Sequence, residues 1–527
     1  MNTIQSSQDP PRPDEGRPNE LIIEPGCEVH LSRIVALARG TTASVRLTDA
    51  SRAQMRRSCE ALEALLEAGA DIYGETTGLG PHVRYARGAA GSEIPGRHLL
   101  EHLAAGAGET TPREIVRATI LLRSLTMARG YSAVRPEILE AYAKLLELEA
   151  YPAVPVLGSV GASGDLVPLA HIARAATGQG RFCIPAQAEG GKQVPEIRPA
   201  PDVLAEHALE AIHPSAREAL SMSNGVSYSA AWAIFALNDA RRLLERVEEL
   251  TGLIYATLGS PRSALDPVLH QARGHADQLA SAALIHKHIL KYALQTDVDQ
   301  ARPLQEAYSL RCVPQIAGAA RAQLNQAERL LHAEINGVSD NPVIYRDAED
   351  RPRVSHGGNF FGQQIAFASD AINQATTQLG LLVERQIALL CNPAQNGGAP
   401  LLLAGARGLD SGLAGAQLTA TAVVAEMRLR CQSAATATIS TNGDNQDIVS
   451  MSTLAARSAC AQNEHLATVL AILAIAIRQL NYLRDSDQAS GPAIDLPEWL
   501  ADTAPLPRDR ALQTDIARLA TIVLGDD

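Results

Sequence analysis

Gly158-Ser159-Val160-Gly161-Ala162-Ser163-Gly164-Asp165-Leu166 decides how the rest of this chain is read. At its centre, Ala162-Ser163-Gly164 can turn its own backbone into a reagent. The amide nitrogen of Gly164 can attack the carbonyl carbon of Ala162, because glycine has no Cβ to block the approach. The ring then loses one water, and Ser163 loses its hydroxyl as a second. The product is a 4-methylidene-imidazol-5-one (MIO) with an exposed methylene. No standard side chain is an electrophile of this kind, so such a group fills a gap that a cofactor otherwise would. The flanks agree: Asp165 stands where a helix cap is expected, and Leu166 to Arg174 read as a helix. Pro168 is tolerated in its first turn, and Gly178 and Gly180 offer a stop. The tripeptide then lies at the positive end of a helix.

Working outward, the 527 residues allow one large or two to three ordinary domains, and 46% hydrophobic content supports a substantial core. Aromatic residues are only 3%, so packing rests on Ala, Leu, Ile and Val, which suits close-packed helices. The net charge of −12 and the lack of a basic patch argue against a nucleic-acid role. Seven dispersed cysteines without Cys-x-x-Cys point to a reduced, cytoplasmic protein. Met1 to Ser7 has no signal-peptide pattern, and the apolar run Leu466 to Ile477 is too short to span a bilayer.

Residues 1–20 read as a disordered extension, 21–205 as an N-terminal part bearing the tripeptide, and 206–527 as a bundle of long helices. Helical spacing predicts helices over 51–68, about 97–107, 112–128 and 136–148, then near 220–255, 315–337, 360–391, 410–433 and 450–485. A glycine-rich loop spans 73–92. Leu21 to Gly26 reads as a strand and turn. Hairpins are expected over 181–199, turning at Gly190-Gly191, and over 343–355. The fold class is mainly α. His98 and His102 have the spacing of metal ligands, but no third ligand is evident, so no metal is assigned.

Several stretches resemble the aromatic amino acid ammonia-lyases and aminomutases. The stretch around Ser163 resembles their MIO signature. Tyr73-Gly74-Glu75-Thr76-Thr77-Gly78-Leu79-Gly80 resembles their inner lid, with Glu75 and Leu79 departing from the pattern. Glu218 to Gly225 resembles the block that carries Asn224. Gln305-Glu306-Ala307-Tyr308-Ser309-Leu310-Arg311-Cys312-Val313-Pro314-Gln315 matches a family motif at nearly every position, and Ser339-Asp340-Asn341-Pro342 follows it. His356 to Gly362, with Phe360, and Asn442 to Met451, with Gln446, agree as well.

The resemblance implies a histidine/phenylalanine ammonia-lyase-like fold: a central bundle of long helices with a smaller MIO-bearing part. It implies a homotetramer whose active sites are shared between chains, an aromatic amino acid as substrate, and no external cofactor, nucleic acid or membrane. It assigns Ala162, Ser163 and Gly164 to the MIO, Tyr73 to proton removal, Tyr308 to the centre beside it, and Arg311 and Asn341 to the substrate carboxylate. A phenol normally titrates near pH about 10, so the site must favour its ionised form. Gly80, Asn224, Gln305, Phe360, Asn442 and Gln446 complete the implied site. His102-Leu103 occupies the selectivity segment, where tyrosine enzymes carry His-Leu, phenylalanine enzymes Phe-Leu and histidine enzymes Ser-His. Histidine relatives usually carry Glu at the position of Gln446. The implied reaction is loss of ammonia from L-tyrosine to give p-coumarate. A tyrosine 2,3-aminomutase, a phenylalanine or histidine ammonia-lyase and an inactive helical scaffold stay open.

Overall fold

In the computed structural model, which describes residues 17–85, 95–185, 195–292, 302–491 and 493–525, the helix expected over 51–68 runs Asp49–Glu67. Thr48 caps it by accepting a hydrogen bond from the Ser51 amide at 3.3 Å, and Asp49 complements the positive end of its dipole. The helices Arg113–Ala128, Val313–Ile335, Gln363–Cys391, Ala414–Arg430 and Ser452–Asp485 lie close to their predicted places. The mainly α class is therefore observed. Strands are short: Glu20–Ile23 pairs in parallel with Ser44–Leu47, while Arg181–Ile184 with Glu196–Pro199, and Val343–Arg346 with Pro352–Ser355, are antiparallel. The expected turn at Gly190-Gly191, the last part of the 73–92 loop and most of the 1–20 extension lie outside the described residues.

Two expectations are corrected. The helix expected over 220–255 is two helices, Ala216–Ser223 and Ser227–Leu258, divided at Asn224-Gly225. Gly225 has φ +142°, which no helix accommodates and few side chains tolerate. Ser215 and Glu218 form a capping box at the start of the first of these helices, and Arg135 binds the same carboxylate at 2.7 Å. The helix expected over 97–107 ends at Leu103.

The described residues form two compact units. One draws on Met1–Phe235, Leu330–Ala366 and Ala435–Leu454, the other on Ala236–Arg329, Phe367–Ala434 and Ala455–Asp527. In the first, Arg113–Ala128 is buried on nearly every face and packs against Leu31–Arg39 and Pro136–Ala143. Pro95–Leu103, Leu166–Ala176 and Ala216–Ser223 pack on one another pairwise, and this three-helix junction positions the site. In the second unit, Gln462 donates to Thr377 Oγ1 at 2.6 Å and to the Met427 carbonyl at 2.9 Å, tying three long helices together with satisfied buried polar groups. The helix Ser452–Asp485 is long and apolar enough to cross a membrane by composition, yet 83% of its most apolar window is buried inside the protein, as expected of a core helix.

Candidate active site

The tripeptide is held in a narrow backbone cradle. Gly161 and Gly164 have φ +68° and +72°. A Cβ on Gly164 would lie 2.2 Å from the Gly225 carbonyl oxygen, so only glycine fits there. The Asp165 amide donates to that oxygen at 2.7 Å. Behind the loop, Ser450 Oγ donates to the Gly161 carbonyl at 3.0 Å, and the Met451 amide donates to the Val160 carbonyl at 2.9 Å.

Asp165 stands at the cap position of Leu166–Ala176 but makes no capping bond. A cap oxygen usually serves the second or third amide of the helix, and here the third is Pro168, which has none. The fully buried carboxylate is taken instead by four donors: Ser159 Oγ at 2.8 Å, Thr453 Oγ1 at 2.6 Å, and the Ser229 amide and hydroxyl at 2.7 and 2.9 Å. Burial raises its pKa above the ordinary carboxylate value, against the pull of those donors.

Ser163 faces a cavity of about 580 Å³, the size of a small-ligand site. Gln446 Nε2 donates to Ser163 Oγ at 2.6 Å, and Asn224 Nδ2 donates to the Ser163 carbonyl at 3.2 Å. These two donors meet both oxygens of Ser163: the hydroxyl that leaves in the second dehydration and the carbonyl that stays on the ring, while the first water carries away the Ala162 carbonyl oxygen. The three-helix junction and the lid supply Leu79, Leu99, Leu103, Leu166 and Leu220 as apolar wall. Tyr73, Gly80, His82, His102 and Asn442 add polar groups. The Gly80 amide donates to the Tyr73 hydroxyl oxygen at 2.8 Å, a bond that survives loss of the phenol proton. Gly80 (φ +54°) also lies close to Asn442, whose Nδ2 would stand 2.8 Å from an added Cβ. Glu75 is half-buried and is not among the residues that line the cavity.

His102 sits at the last turn of Pro95–Leu103, and its Nδ1 is 3.2 Å from the His98 carbonyl oxygen. A carbonyl oxygen only accepts, so Nδ1 carries the proton. In the neutral ring Nε2 is then a lone-pair acceptor.

Not every expected residue reaches this cavity. Asn341 and Phe360 belong to the same unit but are not among its lining. Asn341 Oδ1 accepts from the Gly357 amide at 2.7 Å, while the neighbouring His356 Nε2 accepts from the Tyr73 amide at 3.2 Å, so one short loop joins Asn341 to the lid. Gln305, Tyr308 and Arg311 lie in the other unit. Glu306 anchors their segment through Arg302 and Ser260 Oγ at 2.7–2.8 Å. Gln305 and Tyr308 are exposed, and the Arg311 guanidinium lies 4.6 Å over the Tyr308 ring. Arg311 Nε is buried with no hydrogen-bond partner among the described residues.

Sequence reasoning named Leu103 but missed His82 and the wall leucines Leu99, Leu166 and Leu220. Leu99 lies one helical turn before Leu103, a usable signal. Ser229 and Thr453 had none, being 64 and 288 residues from the carboxylate they bind. Among the described residues no cluster of His, Cys, Asp and Glu could hold a metal.

The family model for aromatic amino acid lyases matches residues 29–496. A histidine ammonia-lyase of Gloeobacter violaceus is 37% identical over 96% of both chains. A tyrosine ammonia-lyase of Cupriavidus metallidurans is 33% identical over 93% of both. The solved structure of a tyrosine aminomutase from Streptomyces globisporus superposes with a TM-score of 0.83 at 31% identity, covering 95% of this chain and 96% of that one. With every site-bearing segment from Tyr73 to Gln446 inside the matched span, this chain belongs to the aromatic amino acid lyase family, enzymes that act on carbon–nitrogen bonds.

Proposed function

We propose that this enzyme eliminates ammonia from L-tyrosine without oxidation, giving p-coumarate. The observation that carries the proposal is Ser163 at a cavity of amino-acid size, with Gln446 on its hydroxyl and Asn224 on its carbonyl. The cradle suits an MIO formed from Ala162-Ser163-Gly164: positive φ at both glycines, no room for a Cβ at Gly164, and a donor on each Ser163 oxygen. When formed, the MIO supplies an electrophilic methylene that makes the substrate's amino group a leaving group, and no external cofactor is needed.

The chain's own groups do the rest. Tyr73 takes the β-proton, with the Gly80 amide holding its oxygen in place. The leucine wall receives the ring, and closure of the lid excludes water. Asn442 and Gly80 meet at the cavity edge and fix the closed lid. Arg311 offers a planar fork to the substrate carboxylate, with Asn341 beside it, and Gln305, Tyr308 and Phe360 complete the centre. The exposure of Gln305 and Tyr308, and the unpaired Nε of Arg311, support a homotetramer in which one copy completes another's site. Seven free thiols support a cytoplasmic location.

Tyrosine is preferred because the His102 acceptor matches a phenol O–H donor, and because Gln446 stands where histidine relatives carry Glu. The 37% identity to a histidine enzyme reports common ancestry along the chain, whereas choice of substrate rests on the few side chains at the ring. A second reading, tyrosine 2,3-aminomutase, is favoured by the likeness to the Streptomyces structure; it requires only that ammonia be held and returned at the β-carbon.

Incubation of the purified protein with L-tyrosine, L-phenylalanine and L-histidine, followed by chromatography, tests the assignment. p-Coumarate as main product supports the lyase, and β-tyrosine supports the mutase. Turnover of histidine alone, or of none of the three, refutes the proposal.

A further inference from the structure

Arg123 lies on the buried helix Arg113–Ala128, is 0% exposed, and is not part of the cavity wall. Its Nη1 donates to the Asn224 carbonyl at 2.7 Å and to the Ser339 carbonyl at 3.0 Å. The guanidinium lies hard against Gly225: a Cβ there would stand 2.0 Å from Nη1. On its other side Gly225 backs Gly164, whose own Cβ would stand 2.2 Å from the Gly225 oxygen. Guanidinium, Gly225 and Gly164 thus form a stack with no spare layer.

The peptide in the middle of this stack controls the tripeptide at two points. Its Asn224 side chain donates to the Ser163 carbonyl, and its Gly225 carbonyl accepts the Asp165 amide. Ring closure needs the Gly164 nitrogen brought onto the Ala162 carbonyl carbon, and an unrestrained loop samples that approach rarely. We propose that Arg123 is a positioning residue for ring formation: by clamping the Asn224-Gly225 peptide it presses residues 162–165 into the geometry from which the ring closes. This rests on the MIO reading above.

A purely stabilising role fits the side chain poorly. Arg123 Nε and Nη2 have no hydrogen-bond partner among the described residues, and Nη2 lies 3.8 Å from Asp340 Oδ2. That carboxylate is already paired with Arg217 at 2.8 Å, so loss of Arg123 leaves no orphaned anion. A buried charge is costly to desolvate, and with two of its nitrogens unfilled Arg123 recovers only part of that cost through the Asn224 and Ser339 carbonyls. Arg117, on the same helix and 1% exposed, is the built-in control. It donates to the carbonyls of Ala38, Leu146 and Leu148, none of them near Ser163 in the chain.

The test is intact-mass spectrometry of the soluble protein, with circular dichroism and thermal unfolding alongside, for wild type, Arg123→Met, Arg123→Lys and Arg117→Met. Two lost waters put the ring-bearing wild type roughly 36 Da below the unmodified mass. We expect Arg123→Met to keep its helical content while its ring-bearing fraction falls about tenfold or more. Arg123→Lys is expected to cyclise in part, and Arg117→Met in full. If Arg123→Met is insoluble, Arg123→Lys decides: a reduced ring-bearing fraction supports the proposal and a complete one refutes it. A full mass shift in soluble Arg123→Met, or an equal loss in Arg117→Met, also refutes it. Wild type at the unmodified mass would instead overturn the MIO reading, and this inference with it.

Discussion

Replacing His102 with phenylalanine tests substrate choice most directly. His102 Nδ1 is committed to the His98 carbonyl at 3.2 Å, which leaves Nε2 as an acceptor on a residue that lines the cavity beside Leu99 and Leu103. A tyrosine hydroxyl buried there needs such a partner. Left without one, it forfeits its bonds to water at a cost of about 1–3 kcal/mol. Phenylalanine as substrate carries no such cost, but it leaves Nε2 unpaired in the wild type. His102→Phe removes the acceptor and adds apolar surface, so it penalises tyrosine and relieves phenylalanine together. With a factor of ten for each 1.36 kcal/mol, the ratio of kcat/KM for phenylalanine over tyrosine rises by about tenfold to a hundredfold. Steady-state kinetics on both amino acids, with the MIO content of each protein checked by intact mass, measures the ratio. A ratio unchanged within twofold at equal MIO content would show that His102 does not meet the ring hydroxyl, and the case for tyrosine would lose its main support.

The remaining expectations concern other groups. Arg311→Lys keeps the charge but loses the planar fork, and we expect kcat/KM to fall about a hundredfold; near-normal kinetics would assign the carboxylate to another residue. Gly80→Ala forces a Cβ onto Asn442 Nδ2 at a backbone φ of +54° and disturbs the bond to the Tyr73 hydroxyl; we expect kcat to fall about tenfold or more with little change in melting temperature. Ser163→Ala is expected to abolish the mass deficit and most activity while leaving the circular dichroism unchanged; retained activity would sink the MIO mechanism. Burial and the nearby Asp165 carboxylate push the Glu334 carboxyl up to about 7. The unfolded chain releases that proton near pH 4.3, so this group's contribution becomes less favourable as pH rises from about 4.3 to 7, then levels off. Allowing for its partial exposure, the loss is about 2 kcal/mol, and Glu334→Gln should remove it; identical urea midpoints for variant and wild type at pH 8 would refute this.

What could be read from the sequence was local. The helix Asp49–Glu67 carries its apolar spacing within twenty residues or so, and that periodicity alone sets it within two residues of its place, although it does not reveal the Thr48 cap. Ala162-Ser163-Gly164 is likewise legible, because closing a five-membered ring over one peptide depends on adjacent residues. The readings that failed were those where a distant partner overrode a local rule. Asp165 looks like a cap, but Pro168 offers no third amide, and Ser229 and Thr453 claim the carboxylate from 64 and 288 residues away. The predicted continuous helix through 224 breaks for the same reason: the backbone there is spent on Asp165 and on Arg123 rather than on the next helical turn. Both departures occur within one hydrogen bond of the tripeptide. Helix propensity at Asn224-Gly225 is low, so turning that peptide aside costs little. A continuous helix, by contrast, would occupy the Asn224 and Gly225 carbonyls with its own amides. The break therefore frees the backbone acceptors that hold the loop. The position where local prediction fails is the position where the chain exchanges regular structure for a cradle around Ser163.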